Sequence, residues 1–387
     1  MNYFFVLIFF SFLIVNCNQS ETELKKNTLT EKPSCISKID SVKFKPEIYR
    51  LDTLFKKLYL ANQFNGNVLI ARGNKIIYQK SFGYRIKEKN QLLNDTTLFQ
   101  LASVSKVITS IGILLLYEQG KLNLDQPVSD FLPEFPYEKI TIRNLLSHRS
   151  GIPNYPYFCD QLLKDKTTIL SNQDILDLIV KQPTMCVLKP NRRFNYSNTN
   201  YALLALIIEK ISQKSYSDFL KQELFIPLGM KHTFTHHNVD FFETNFSQGY
   251  TQTFKLVPND RFDGVLGDKG IYTTTYDLFL LSSALFQNKL LSSQTQELAY
   301  TPYSPEKKTS NYGLGWRMNK MDSPDKEIFH NGWWHGYRTA FHRRLSDSTT
   351  IIILSNRLNK SVYATSRVYD AIDGPSAAAN KQEPEDE

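Results

Sequence analysis

At 387 residues, with 41% hydrophobic and 22% charged side chains, the chain can bury a large core, and no collagen, coiled-coil or solenoid period runs through it. Its formal charge of +8 is scattered singly or in pairs such as Lys25-Lys26, Lys56-Lys57 and Arg343-Arg344. Without a basic stripe, stacking aromatics or a recognition helix, no nucleic-acid partner is expected, and the charge serves solubility or attraction to an anionic membrane or cell-wall polymer.

Residues 3–15 are an apolar run too short for a stable bilayer anchor, followed by a polar stretch, so residues 1–17 read as a signal peptide. Ile14-Val15-Asn16-Cys17 resembles the lipobox of bacterial lipoproteins. A lipid anchor at Cys17 and ordinary cleavage are the alternatives, and both imply export to the periplasm or cell envelope. An oxidising compartment would permit a Cys159–Cys186 bridge, with two separate buried thiols the equal alternative. Residues 18–45 form a linker.

The folded region opens with an amphipathic helix over 45–61, its apolar positions being Ile48, Leu51, Leu54, Leu58 and Leu60. Two apolar runs, Val68-Leu69-Ile70 and Ile76-Ile77-Tyr78, flank Arg72-Gly73-Asn74-Lys75 and predict a hairpin. A long apolar helix is expected over 103–119, stopped by Gly120. Further helices follow at 142–147, 172–181, 200–211, 216–224 and 276–286. Strands return at 312–318, 327–330, 338–345 and 349–354, before a last helix at about 361–371. Strands from both chain ends around a helical middle predict an α/β (α+β) fold, with one antiparallel sheet beside a helical domain. The expected division is an α/β part at 46–100 and 255–372, a helical part at 101–254, and an acidic disordered tail at 373–387.

Three elements carry chemistry. Ala102-Ser103-Val104-Ser105-Lys106 sets a hydroxyl and an amine three residues apart on one helix face, at a helix start whose free N–H groups favour developing negative charge. The pattern alone is common, but in so apolar a helix a solvated lysine fits poorly. In Tyr196-Ser197-Asn198, the phenol could exchange a proton with Lys106 as general base, and the amide could orient the lysine or a substrate amide. A polar cap on the following helix is the competing reading. In His330-Asn331-Gly332-Trp333, Gly332 would let substrate approach a strand edge and the Trp333 N–H could complete an oxyanion hole with that of Ser103. His330 would hold a substrate carboxylate or move protons.

Together and in this order, the three resemble the serine β-lactamase and penicillin-binding-protein superfamily, in its class C β-lactamase, DD-peptidase and esterase branch. Leu145-Leu146-Ser147-His148-Arg149-Ser150-Gly151, Gly267-Asp268-Lys269-Gly270 and Tyr312-Gly313-Leu314-Gly315-Trp316 extend the likeness over about residues 46–370. The resemblance implies a DD-peptidase/β-lactamase-like fold with its active site between an α/β and an all-helical domain. It makes Ser103 the nucleophile, Lys106 and Tyr196 the proton-transfer pair, and Asn198 and His330 substrate-site residues. No metal or organic cofactor is implied. His330 stands where the β-lactamases of this branch usually carry lysine, which favours a D-peptidase or an esterase over a β-lactamase. A slow-turnover penicillin-binding or cell-wall-sensing protein is the remaining alternative. The expected partner is a small-molecule or peptide substrate (cell-wall peptide, ester or β-lactam), and the expected state a monomer. His148 and Asp125 read as loop organisers, and His232, His236 and His237 lack the acidic or cysteine neighbours of a zinc site.

Overall fold

The leading strands form because every second side chain finds a different core. In β1 (Gly66–Arg72), Val68 and Ile70 point to one cluster while Leu69 and Ala71 point to another. The last strand, β12 (Thr349–Ser355), alternates likewise, with Ile351 and Ile353 opposite Ile352 and Leu354. Burial on both faces explains why these segments read as continuous apolar runs. The computed structural model describes residues 45–183, 188–240, 245–307, 310–323 and 325–374.

The remaining elements follow in chain order. The first helix, α1 (Lys45–Leu60), precedes β1 and then β2 (Lys75–Phe82), β3 (Tyr84–Ile86), β4 (Gln91–Leu92) and β5 (Phe99–Gln100). The helical middle holds α2 (Ser105–Glu118), α3 (Ile142–Leu146), α4 (Tyr155–Leu162), α5 (Asn172–Lys181), α6 (Asn198–Ser212), α7 (Tyr216–Leu220) and α8 (Ile226–Leu228). Then come β6 (Phe234–Thr235), β7 (Ile271–Thr273), α9 (Thr275–Phe286) and α10 (Ser293–Ala299). The return to the sheet is β8 (Ser310–Tyr312), β9 (Arg317–Asn319), β10 (Glu327–Trp334), β11 (Tyr337–Arg344), β12 and the closing helix α11 (Thr365–Asp373).

Among these residues a seven-stranded antiparallel sheet runs β2-β1-β12-β11-β10-β9-β8, so the first and last strands pair as its second and third members. On one face α1 and α11 close a core of Leu51, Phe55, Val68, Ile70, Ile351, Ile353, Val368 and Ile372. The other face joins the helices in the main core. Both chain ends do supply the sheet, as the pattern of strands implied.

Several expectations are corrected in detail. The apolar stretch 312–318 is two strands, β8 and β9, because Gly315 at φ +85° turns the chain back against Ser110. The helix expected over 216–224 passes from α7 into a π-helical turn, Lys221–Phe225. The last helix is a 3-10 turn, Lys360–Tyr363, followed by α11. Helices α4, α8 and α10 lie outside the segments expected to be helical. Cys159 is a free, buried thiol, its ionisation pushed up to about 12 by burial; Cys186 lies outside the described residues. Cys17, the leader, the linker and the tail from residue 375 also lie outside them. No helix among the described residues is long and apolar enough to cross a membrane.

Candidate active site

Ser103 sits in a single 3-10 turn, Ala102–Val104, that runs directly into α2. The chain enters it through Ala102 at φ +51°, a left-handed conformation that costs an alanine about 1–2 kcal/mol. Two bonds hold that backbone: Leu101 N donates to Ile271 O at 2.8 Å, and Thr339 Oγ1 donates to Leu101 O at 2.7 Å. From Thr97 to Ser110 every residue is buried except Ser103, which keeps partial access to solvent. Lys106 is wholly buried, as its apolar helix required. Its Nζ donates to Ser103 Oγ at 3.1 Å and to Asp268 O at 2.9 Å, and it lies 5.1 Å from the ring centre of Tyr196 and 5.7 Å from that of Tyr201. Ser105 points away and accepts from Ile271 N.

The segment entering α6 forms the second wall. Pro153 O accepts from Ser197 Oγ and Thr199 Oγ1 at 3.1 and 2.6 Å, and Asn154 Oδ1 accepts from Asn198 N at 2.8 Å. Tyr196 packs against His148 with ring centres 4.3 Å apart and the rings tilted by 37°. His148 Nδ1 accepts from Ser197 N and faces Asn200 Nδ2, each at 3.2 Å, so the proton of this ring is on Nε2. Burial first, then the nearby Lys106 and Arg317 charges, hold its protonation well below the imidazole range. The loop-organising role read for His148 therefore sits directly beneath Tyr196, whereas Asp125 makes a two-point ion pair with Arg143 at 2.7 and 2.8 Å. The buried Asn198 Oδ1 has no hydrogen-bond partner among the described residues.

Strand β10 supplies the third wall. A Cβ on Gly332 would lie 2.3 Å from Thr339 Oγ1, 2.4 Å from Leu101 O and 3.1 Å from Ser103 N, so only glycine lets the strand meet the Ser103 turn this closely. Strand β9 pairs with β10 only along Glu327–Phe329, which leaves the edge beyond His330 without a strand neighbour among the described residues. The two-residue turn His335-Gly336 makes Trp334/Tyr337 the hydrogen-bonded closing pair of the hairpin. By alternation the Trp333 N–H faces that open edge, while its side chain, 63% exposed, lies on the other face. Asp263 accepts from Trp334 Nε1 at 3.0 Å and His335 Nε2 at 2.9 Å and pins the turn. His232 and His237 are exposed and His236 half-buried.

His330, expected to hold a substrate carboxylate or to move protons, is placed away from solvent. It is buried, its Nδ1 lies 2.7 Å from Asn331 O and its Nε2 3.0 Å from Tyr312 Oη. A carbonyl can only accept, so Nδ1 carries the proton and Nε2 accepts from the tyrosine. Desolvation, then the Arg317 and Lys106 charges, keep the ring neutral. Arg317, which no sequence motif singled out, brings a cation to the Tyr196 and Tyr312 rings beside this histidine. Its guanidinium lies 5.4 Å from the ring centre of Tyr196 and 5.9 Å from that of Tyr312, with no carboxylate on it among the described residues. A lone arginine one residue past Tyr312-Gly313-Leu314-Gly315-Trp316 was the available signal.

Residues 53–373 match the family described as Beta-lactamase. The chain belongs to that family. Penicillin-binding protein 4* of Bacillus subtilis (strain 168) is 36% identical over 330 residues, covering 81% of this chain and 72% of its own. The octameric penicillin-binding protein homologue from Pyrococcus abyssi superposes with a TM-score of 0.72 at 26% identity, over 80% of this chain and 74% of that one. The D-amino acid amidase from Ochrobactrum anthropi SV3 shares the fold, with a TM-score of 0.70 at 24% identity over 84% and 98% of the two chains. This β-lactamase-family protein is thus a serine hydrolase of the β-lactamase and penicillin-binding-protein superfamily, with the mixed α/β fold of that group.

Proposed function

We propose that the protein is an exported acyl-transfer hydrolase that cleaves a peptide amide next to a free C-terminal carboxylate, as a DD-carboxypeptidase or related D-peptidase does. The observation that carries the reading is the 3.1 Å contact between Lys106 Nζ and the partly exposed Ser103 Oγ, beneath an unpaired strand edge. Lys106, as the free amine, takes the Ser103 proton while Oγ bonds to the substrate carbonyl carbon. The oxyanion forms between the N–H groups of Ser103 and Trp333. Tyr196 and Lys106 return the proton to the leaving amine, and water then hydrolyses the ester.

Three features favour a peptide over a simple ester. The open edge of β10 can hold an extended backbone as one more antiparallel strand. Asn198 Oδ1 needs a donor, which a substrate amide N–H provides. Arg317 supplies a charge for a terminal carboxylate where His330, being neutral, supplies none. A β-lactam, a strained amide with its own carboxylate, fits the same features, and the likeness to a penicillin-binding protein supports Ser103 acylation by such a compound.

Intact mass after incubation with a β-lactam or a fluorophosphonate tests this directly. Parent protein gains one adduct and Ser103→Ala none; labelling that survives in the variant overturns the assignment. A β-lactam adduct lasting hours supports slow turnover, and one lost within seconds supports a β-lactamase.

A further inference from the structure

Behind Lys106 lies a second group of buried ionisable side chains that the acylation chemistry leaves unused. Tyr155 at the start of α4, Asp268 and Lys269 are each at most 2% exposed. The Tyr155 hydroxyl accepts from Lys269 Nζ and donates to Asp268 Oδ2 at 3.1 Å, while Asp268 Oδ1 lies 3.5 Å from Lys269 Nζ. Val265 O at 3.3 Å and the ring faces of Trp334 and Tyr155, at 4.7 and 5.1 Å, complete the surroundings of the ammonium.

The backbone of this loop is laced onto the nucleophile turn. Gly267 O accepts from Thr109 Oγ1 at 2.6 Å, Asp268 O accepts from Lys106 Nζ at 2.9 Å, and Ile271 O accepts from Leu101 N at 2.8 Å. Tyr155 follows Pro153-Asn154, the same pair that holds Ser197, Asn198 and Thr199. The three side chains therefore tie the wall that carries Lys106 to the wall that carries Tyr196.

We infer that Tyr155, Asp268 and Lys269 are positioning residues that fix the Asp268 carbonyl against Lys106 and place opposed charges beside the amine that takes the Ser103 proton. The inference rests on the proposed Ser103–Lys106 reaction. With Asp268 O taking one N–H, the lone pair of the neutral amine is left for Ser103 Oγ–H. A buried ion pair is poor value as a fold stabiliser, because apolar residues of similar volume commonly do as well. Its electrostatic reach is another matter: Lys269 is held below the usual lysine range by burial first and by Lys106 in part. The other groups around Lys106 are the Tyr196 and Tyr201 rings, the neutral His148 and His330, and Arg317, whose charge is common to parent and variants.

The test is the pH dependence of the second-order rate of fluorophosphonate labelling, read by intact mass, in the full chain. Lys269→Met removes a positive charge near Lys106 and moves the rising limb to higher pH; Asp268→Asn removes a negative one and moves it to lower pH, each by about half a unit or more. Equal midpoints, or shifts of the same sign, overturn the inference, since a purely structural defect lowers the rate without opposed shifts. Should Lys269→Met fail to fold, the neutral double variant Asp268→Asn/Lys269→Met carries the test, and its midpoint must lie above that of Asp268→Asn alone. Failure of the parent to label at Ser103 would instead remove the underlying reaction, so the two outcomes are distinct.

Discussion

Arg317 shows what a single side chain decides here. A guanidinium set against two aromatic rings and without a carboxylate among the described residues is ready for an anion, and a charged hydrogen bond contributes about 1.5–3 kcal/mol. Arg317→Met is therefore expected to weaken kcat/KM by about 10- to 100-fold for peptides ending in a free carboxylate, and to leave the C-terminally amidated peptides unchanged. Equal losses on both series would remove Arg317 from carboxylate recognition. The sequence pointed to His330 for this work because the motif places a basic residue there. Local chemistry disfavours the carboxylate-holding role and leaves the proton-moving one: Asn331 O and Tyr312 Oη lie on the two nitrogens, and burial lowers the ring's proton affinity.

At the scale of elements, the site depends on how closely β10 approaches the turn before α2. Gly332 faces Thr339 Oγ1, Leu101 O and Ser103 N, and overpacking of this kind costs about 1–3 kcal/mol. Gly332→Ala should lower the thermal midpoint and cut the Ser103 labelling rate at least tenfold, because the strand and the Ser103 turn must part to admit a methyl group. A variant with parental stability and labelling would show that the strand is free to shift. Helix α2 was legible from its mostly apolar pattern and from Gly120, which at φ +67° follows the Gln119 C-cap and ends the helix. Helix α4 was not, since it is only eight residues long and its role, presenting Tyr155 to Asp268 and Lys269, exists only in three dimensions.

For the molecule as a whole, the two buried neutral histidines make stability depend on pH. His148 and His330 are protonated in an unfolded chain below about pH 6.5, yet the native state resists the same protons, so the unfolded state binds more of them as pH falls. The contribution is intact above that value and is lost on the way down, at up to about 1.4 kcal/mol per pH unit for each histidine. Asp263 and Glu327, both held below their usual ranges although burial opposes it, extend the loss below about pH 4. Urea unfolding at pH 7.5 and 5.5 should differ by about 2–3 kcal/mol, with the protein weaker at the lower pH; a flat profile would mean that these rings admit protons in the native state.

The amino-acid sequence by itself determined the antiparallel sheet drawn from both chain ends and the helices between. Alternating and helical apolar periods are local, and each residue's partner face follows from them. It also set Ser103 and Lys106 three residues apart, close to one helical turn, so that the 3-10 turn and the start of α2 carry both on one side. Only the tertiary structure decided that burial lowers the proton affinity of His330, that Arg317 lies against Tyr196 and Tyr312, and that Tyr155, Asp268 and Lys269 meet behind Lys106. These groups come from segments more than a hundred residues apart, or from strands whose neighbours set their solvation. Proton affinity follows from that enclosure, which no spacing along the chain encodes.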